Sequence, residues 1–202
     1  MIYHPTTPLE AVTLRKQNAD TAVYLAGGTD DLRLNGSAPG KDLIDISDLV
    51  PEFIKEAAHF CASFTKRNSA TVGGNIGLRR QDSYLAAALT AADAKLKSMT
   101  PHGEEMKPIG EYLQGKCMRL IEYVVLDADR TGWVKRFTNT ASSHAAVTAA
   151  VSGDIYALSV SGSDFAYGTT PDLADSMEFT DDISGSAAYK KYLAKTVFTL
   201  GR

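Results

Sequence analysis

Cysteine is scarce. The 202 residues hold two, Cys61 and Cys117, and nothing near either gives a metal-ligating spacing. A chain without clustered thiols carries no iron–sulfur centre of its own, and two cysteines allow one disulfide at most. Reduced thiols and a cytoplasmic location are the expectation. Histidine is equally sparse: residues 4, 59, 102 and 144 are scattered, so no metal site is expected. No apolar run approaches the roughly 20 residues needed to cross a bilayer. The start, Met1-Ile2-Tyr3-His4-Pro5, lacks the basic and apolar regions of a secretory leader. Basic excess is missing too: Lys and Arg total 21 against 24 Asp and Glu, a net charge of −3. The densest basic spots, Lys66-Arg67 and Arg79-Arg80, are pairs rather than patches. Nucleic acid, which needs clustered cations to neutralise phosphate, is therefore not the expected partner. Finally, no G-x-G-x-x-G fingerprint occurs, which argues against a Rossmann nicotinamide site.

What is present suits one large domain or two small ones, with 44% hydrophobic and 22% charged residues. Thr7-Pro8-Leu9-Glu10 has capping-box spacing and opens a helical stretch to about Asn18. Residues 21–26 and 41–46 read as strands, the first running into Gly27-Gly28. A helix is expected over 51–64, with Phe53, Ile54, Ala57, Ala58, Cys61 and Phe64 on one face. Another is expected over 82–94, where many alanines imply close packing. Residues 95–99 follow as a strand and 101–104 as a turn. Residues 120–126 and 133–138 read as adjacent antiparallel strands, and 145–151 and 155–160 extend that sheet around a turn at 152–154. A last helix is expected over 186–195. The whole is α+β, with a boundary at about residue 116.

Two glycine pairs carry the chemical signal. The first sits in Leu25-Ala26-Gly27-Gly28-Thr29-Asp30. Glycine admits positive φ and leaves room for a ligand at the main chain, and exposed N–H groups there suit a diphosphate. Taken alone, the pair is equally a strand-ending turn. The second lies in Asn68-Ser69-Ala70-Thr71-Val72-Gly73-Gly74-Asn75-Ile76-Gly77. Hydroxyls before the glycines can donate to phosphate or ribityl oxygens, and the Asn75 amide can both donate and accept. Ten positions with so few bulky residues suggest main chain passing close to a ligand, although Ser, Thr, Asn and Gly also make plain loops.

Together, Ala26-Gly-Gly-Thr-Asp30 and Arg67-Asn-Ser-Ala-Thr-Val-Gly-Gly-Asn-Ile76 resemble the FAD-binding medium subunit of molybdenum hydroxylases, of the xanthine and carbon monoxide dehydrogenase types. Gly185-Ser-Ala-Ala-Tyr-Lys-Lys-Tyr-Leu-Ala194 resembles that family's closing helix, so the likeness runs from about residue 2 to 195. Within the family the chain resembles small bacterial flavin subunits of selenate-reductase or xanthine-dehydrogenase-like complexes. The resemblance implies a fold of the vanillyl-alcohol-oxidase, or PCMH, type. Residues 1–115 would form the FAD-binding domain (subdomains 1–50 and 51–115, with FAD between them), and residues 116–202 a C-terminal domain of antiparallel strands and helices. Leu25, Ala26, Gly27, Gly28, Thr29 and Asp30 would take the pyrophosphate from one side. Thr71, Gly74, Asn75 and Gly77 would contact diphosphate and ribityl from the other. Ser83 falls at a small polar contact, but Tyr84 replaces the acidic residue usual beside it, with Asp82 one position earlier. Lys135 falls where the family places a cation near the flavin ring, with Arg136 as its rival.

Relative to the family, the chain lacks a strand and a Gly-Ala-x-Thr-Thr loop between Val50 and Pro51, and part of a helical segment between Phe179 and Thr180. The implied activity is that of an oxidoreductase subunit in a hetero-oligomer. Electrons would pass between iron–sulfur clusters on one partner and NAD(P), with substrate oxidised on a molybdopterin-containing large subunit. The flavin supplies the redox chemistry, so no side chain is expected to act as a catalytic acid, base or nucleophile. Two alternatives stand beside this: an assembly subunit that no longer retains FAD, and a free-standing PCMH-type flavin oxidase.

Overall fold

The computed structural model describes residues 2–7, 10, 13–14, 17–18, 22–25, 42–45, 49–61, 63, 67, 70–100, 103–115, 120–141 and 143–200. They divide into two compact units, residues 1–51 with 62–71 and residues 52–61 with 72–202.

The first unit holds a parallel sheet of three short strands, β1 (Ile2–Tyr3), β2 (Ala22–Leu25) and β3 (Asp42–Asp45), in the order β1-β3-β2. Val23 and Ile2 both pair with Leu43, so β3 is the central strand. The expected cap at Thr7 is present: the Glu10 N–H donates to Thr7 Oγ1 at 3.1 Å, while Glu10 Oε2 accepts from Thr6 N–H at 2.8 Å. Both expected strands therefore occur, and parallel pairing places a crossover between them.

Among its described residues the second unit contains five α-helices: α1 (Glu52–Phe60), α2 (Val72–Gly77), α3 (Tyr84–Ala91), α4 (Ile109–Gln114) and α5 (Ala187–Leu200). One antiparallel sheet is built from β4 (Lys95–Thr100), β5 (Gly103–Pro108) and β6 (Leu120–Val125), in the order β5-β4-β6. The other is built from β7 (Trp133–Thr138), β8 (Ala145–Ser152), β9 (Ile155–Val160) and β10 (Ala166–Gly168), in the order β10-β9-β8-β7. One expectation is corrected here. Residues 120–126 and 133–138 do flank a turn, in which the Arg130 N–H donates to Asp127 O at 3.3 Å, but they join different sheets. β6 pairs with β4, and β7 pairs with β8. A turn fixes only the local reversal, whereas β8 is buried on both faces and pairs with a neighbour on each side.

Strand alternation sorts the larger sheet into two faces. Val147, Ala149, Leu158 and Val160 join Leu193, Ala194, Val197 and Phe198 of α5 in one core cluster. The opposite face receives α3, and there Ser159 Oγ donates to Gln81 O at 2.7 Å. All eight residues of α3 are buried. Its alanines make a thin cylinder that sinks between neighbours, as the composition implied, and Ser83 caps its start by accepting the Ala86 N–H at 3.2 Å.

Below α5 lies a closed polar knot. Lys190 is fully buried and pairs with Asp182 at 2.7 Å. Its remaining two donors go to Ser161 O at 2.8 Å and Thr180 O at 2.9 Å. Asp182 also accepts from Ser161 Oγ at 2.6 Å and Ser184 N–H at 2.7 Å. Gly162 turns the chain here with φ of +72°, and a Cβ on it would stand 2.6 Å from Thr180 Oγ1. The knot ties α5 to the end of β9.

Candidate functional site

Residues 72–77 of the second glycine motif fold as α2, not as an open loop. Its glycines need no positive φ, which among the described glycines is confined to Gly103, Gly153, Gly162 and Gly185. Val-Gly-Gly-Asn is a poor helix former, so tertiary contact decides the matter. Ile76 is fully buried, and Gly73 and Gly77 lie over Ile121 of β6, their would-be Cβ positions 3.9 and 3.7 Å from its side chain. Arg79 ends the helix with φ of +51°, a left-handed conformation normally left to glycine. Its guanidinium lies 4.4 Å over the Tyr112 ring and donates to the Tyr112 carbonyl, which holds the strained residue in place. Gly74 is exposed.

Asn75 and Ser83, predicted separately, meet. Ser83 Oγ accepts from Ala86 N–H, so its own proton goes to Asn75 Oδ1, 2.7 Å away. That fixes the amide's orientation, because a hydroxyl donor must face the oxygen. Asn75 keeps two N–H donors that no described residue accepts. The sequence left Asn75 able to donate or accept; the bond from Ser83 takes one acceptor site of its oxygen and leaves both N–H donors.

Beside this pair runs a second set of bonds. Arg80 grips Asp82 with two hydrogen bonds, Nε to Oδ1 at 2.9 Å and Nη2 to Oδ2 at 2.8 Å. His144 Nε2 lies 2.8 Å from Asp82 Oδ2. Hydrogen bonds from His144 first, and from Arg80 second, hold the Asp82 carboxyl well below the usual range. His144 Nδ1 lies 2.9 Å from Tyr84 Oη, which accepts the Ala145 N–H at 2.8 Å. The Asp82 carboxylate can only accept, so His144 Nε2 carries a hydrogen toward it; in the neutral ring that leaves Nδ1 to accept from the Tyr84 hydroxyl. Burial, foremost, pushes the Tyr84 hydroxyl up. Asp82 thus does not offer its carboxylate outward in place of the absent acid at 84.

Lys135 and Arg136 fall on opposite faces of β7. Lys135 pairs across to Ala149 on the α5 face, with Nζ 5.5 Å from the Trp133 ring. Arg136 pairs with Thr148 on the α3 face and lies 4.4 Å over Phe60, whose ring meets Tyr84 edge-on at 6.2 Å. The cation on the same sheet face as Tyr84 is therefore Arg136. Cys61 Sγ donates to Ala57 O at 3.5 Å, a helical back-bond. Leu25 ends β2, paired with Asp45. Ala26, Gly27, Gly28, Thr29 and Asp30 lie outside the described residues, and Thr71 immediately precedes α2. Among the described residues, no three His, Cys, Asp or Glu are grouped to hold a metal ion.

Residues 42–126, which include α2, Asn75 and Ser83, match the family model for the FAD binding domain in molybdopterin dehydrogenase. Over that segment, 85 of the 202 residues, the chain is similar to the FAD-binding domains of molybdopterin dehydrogenases. Among curated proteins it is similar to "Uncharacterized protein YgfM" of Escherichia coli K12, 28% identical over 181 residues that cover 74% of this chain and 68% of that protein. Among solved structures it shares its fold with a Cu,Mo-CO dehydrogenase chain, at TM-score 0.60 and 17% identity, covering 96% of this chain and 93% of that one. A carbon monoxide dehydrogenase chain from Hydrogenophaga pseudoflava aligns at TM-score 0.56 and 21% identity over 96% and 93% of the two chains. Quinoline 2-oxidoreductase from Pseudomonas putida 86 aligns at TM-score 0.57 and 14% identity over 97% and 93%. The α+β fold expected from the sequence is thus shared with these solved structures. No described helix is long and apolar enough to cross a membrane.

The residues present fit such a cofactor. A diphosphate and a ribityl chain offer oxygen acceptors, and Asn75 offers two N–H donors beside the exposed Gly74. His144 and the partners of Tyr84 went unforeseen. Nothing local in the sequence links residues sixty positions apart, although the unusual Tyr at 84 marked where to look.

Proposed function

We propose that this chain binds FAD and serves as the electron-transfer subunit of a multi-subunit molybdenum hydroxylase-like oxidoreductase. The observation that carries the reading is the Asn75 amide, turned donor-outward by Ser83 and set beside Gly74 inside the segment that matches the FAD-binding family. Gly74, Gly77 and Asn75 hold diphosphate and ribityl oxygens, with Thr71 and Ser83 at their margin. Leu25 to Asp30 contribute main-chain donors from the first glycine pair. FAD, when bound, supplies two-electron and one-electron chemistry. The protein's own work is to bind and orient it, and no side chain acts as acid, base or nucleophile.

Partners supply the rest: an iron–sulfur chain, a molybdopterin-containing large subunit, and NAD(P) as the soluble electron carrier, in a cytoplasmic hetero-oligomer. What supports the partners is the family match and the scarcity of cysteine on this chain. A cation near the flavin ring would stabilise the reduced anion. Lys135 holds that role by resemblance, whereas Arg136 has the better position relative to Tyr84.

One observation favours the rival reading of an assembly subunit without FAD. Tyr84 stands where the family has an acid, and its hydroxyl is engaged within the protein. The purified chain separates the two. Flavin absorbance that is released on denaturation, lost in Gly74→Val while the variant stays folded, is the expected result. Full retention of FAD in Gly74→Val sinks the assignment of that backbone.

A further inference from the structure

We infer that Arg80, Asp82, Tyr84 and His144 form a positioning network that fixes the Asn75 donors, and that Tyr84 acts through this network rather than on a ligand. The inference rests on the FAD reading for its consequence, though not for its geometry. Residues 80, 82 and 84, on the approach to α3, are joined through His144 to the head of β8. Arg80 holds Asp82 by two bonds, Asp82 holds His144 Nε2, and His144 Nδ1 holds Tyr84 Oη. The Ala145 N–H closes the chain on Tyr84 from the sheet side.

Ser83 sits between two of these anchored residues. Its hydroxyl spans Ala86 N–H and Asn75 Oδ1, so any slack at 82 or 84 transfers to the Asn75 amide. The Tyr84 oxygen has one proton and two acceptor sites, and this proton and one acceptor site are committed inside the protein. Its ring is buried, edge-on to Phe60, with Arg136 stacked on Phe60 in turn. A phenol so placed is a pin. Its benefit to a ligand is that the Asn75 donors are already aimed, which removes an ordering cost from binding.

Replacing the family's acid by tyrosine therefore need not be a loss of the site. The acid's position is taken over by a packed anchor, and hydrogen bonding to the cofactor falls to the Asn75 donors.

The test is a double-mutant cycle on the purified chain, with FAD affinity read by quenching of flavin fluorescence. Tyr84→Phe keeps the ring and removes both bonds. It is expected to weaken FAD about tenfold, the scale of one well-ordered hydrogen bond. Asn75→Ala is expected to weaken it at least as much, and Tyr84→Phe added to Asn75→Ala to cost nothing further. Additive losses would overturn the inference. His144→Gln, at a half-exposed position, repeats the test should Tyr84→Phe fail to fold. The second readout needs no ligand: the Asn75 side-chain amide protons in an NMR spectrum. They are expected as two distinct resonances in the native protein and as shifted, exchange-broadened ones in Tyr84→Phe. Unchanged resonances would overturn the network even if FAD does not bind; absence of FAD binding with the expected resonances would instead overturn only the FAD reading.

Discussion

Two polar clusters in the second unit use similar groups to opposite ends. Around Lys190 every strong group is spent inward: the ammonium's three donors go to Asp182, Ser161 O and Thr180 O. Around Asn75 the bonds run one way and stop at the surface, leaving an amide with two donors unclaimed among the described residues. The first cluster is buried at its centre and closed. The second is half-exposed, with the His144 side chain at 38% exposure and Arg80 at 58%. A closed cluster stabilises; an open one with oriented donors binds. The contrast also separates what breaking each should do.

The largest effect belongs to the closed cluster. Asp182→Ala leaves a fully buried ammonium without its counter-charge, and such uncompensated charges cost about 3–5 kcal/mol. Chemical denaturation should show that loss. Lys190→Met should cost less, because the Asp182 side chain is 25% exposed and water can take up its charge. Equal losses would mean that the two partners are equally enclosed. Neither substitution should alter FAD affinity in protein that remains folded.

Next in size come Asn75→Ala and Gly74→Val, which should lower FAD retention at least tenfold and shift the denaturation midpoint less than Asp182→Ala, Gly74 being exposed and Asn75 half-buried. Stability losses comparable to those at Asp182 would erase the distinction between the clusters.

The smallest effect is in pH. Burial raises the Asp182 carboxyl, but hydrogen bonds from Lys190, Ser161 and Ser184, and the Lys190 charge, outweigh it and bring it down to about 2. A depressed carboxyl stabilises fully above the ordinary carboxylate range and loses that contribution as pH falls through its folded value. Stability should therefore decline between about pH 4 and pH 2, and the slope should flatten in Asp182→Asn. An unchanged slope would place the acid sensitivity elsewhere.

Much of this was legible beforehand, for reasons that can be named. The alanines within 82–94 signalled a helix packed close against a neighbour, and the runs at 133–138, 145–151 and 155–160 signalled the sheet. The helical form of residues 72–77 was not legible, because glycine and asparagine oppose it locally and only Ile76 and Ile121 impose it. The choice between Lys135 and Arg136 was likewise closed to sequence: adjacent strand residues face opposite ways, and which face carries α3 is a tertiary fact. The pairing of β6 with β4 depended on competition among strands, which a turn motif at 127–130 does not report.

The visible spectrum of the freshly purified chain, taken before and after denaturation, addresses FAD binding with no mutation at all. One flavin per chain, yellow in the folded protein and released on unfolding, is the expected outcome. A cooperatively folded protein that is colourless and takes up no added FAD would leave the Asn75 donors without their proposed ligand.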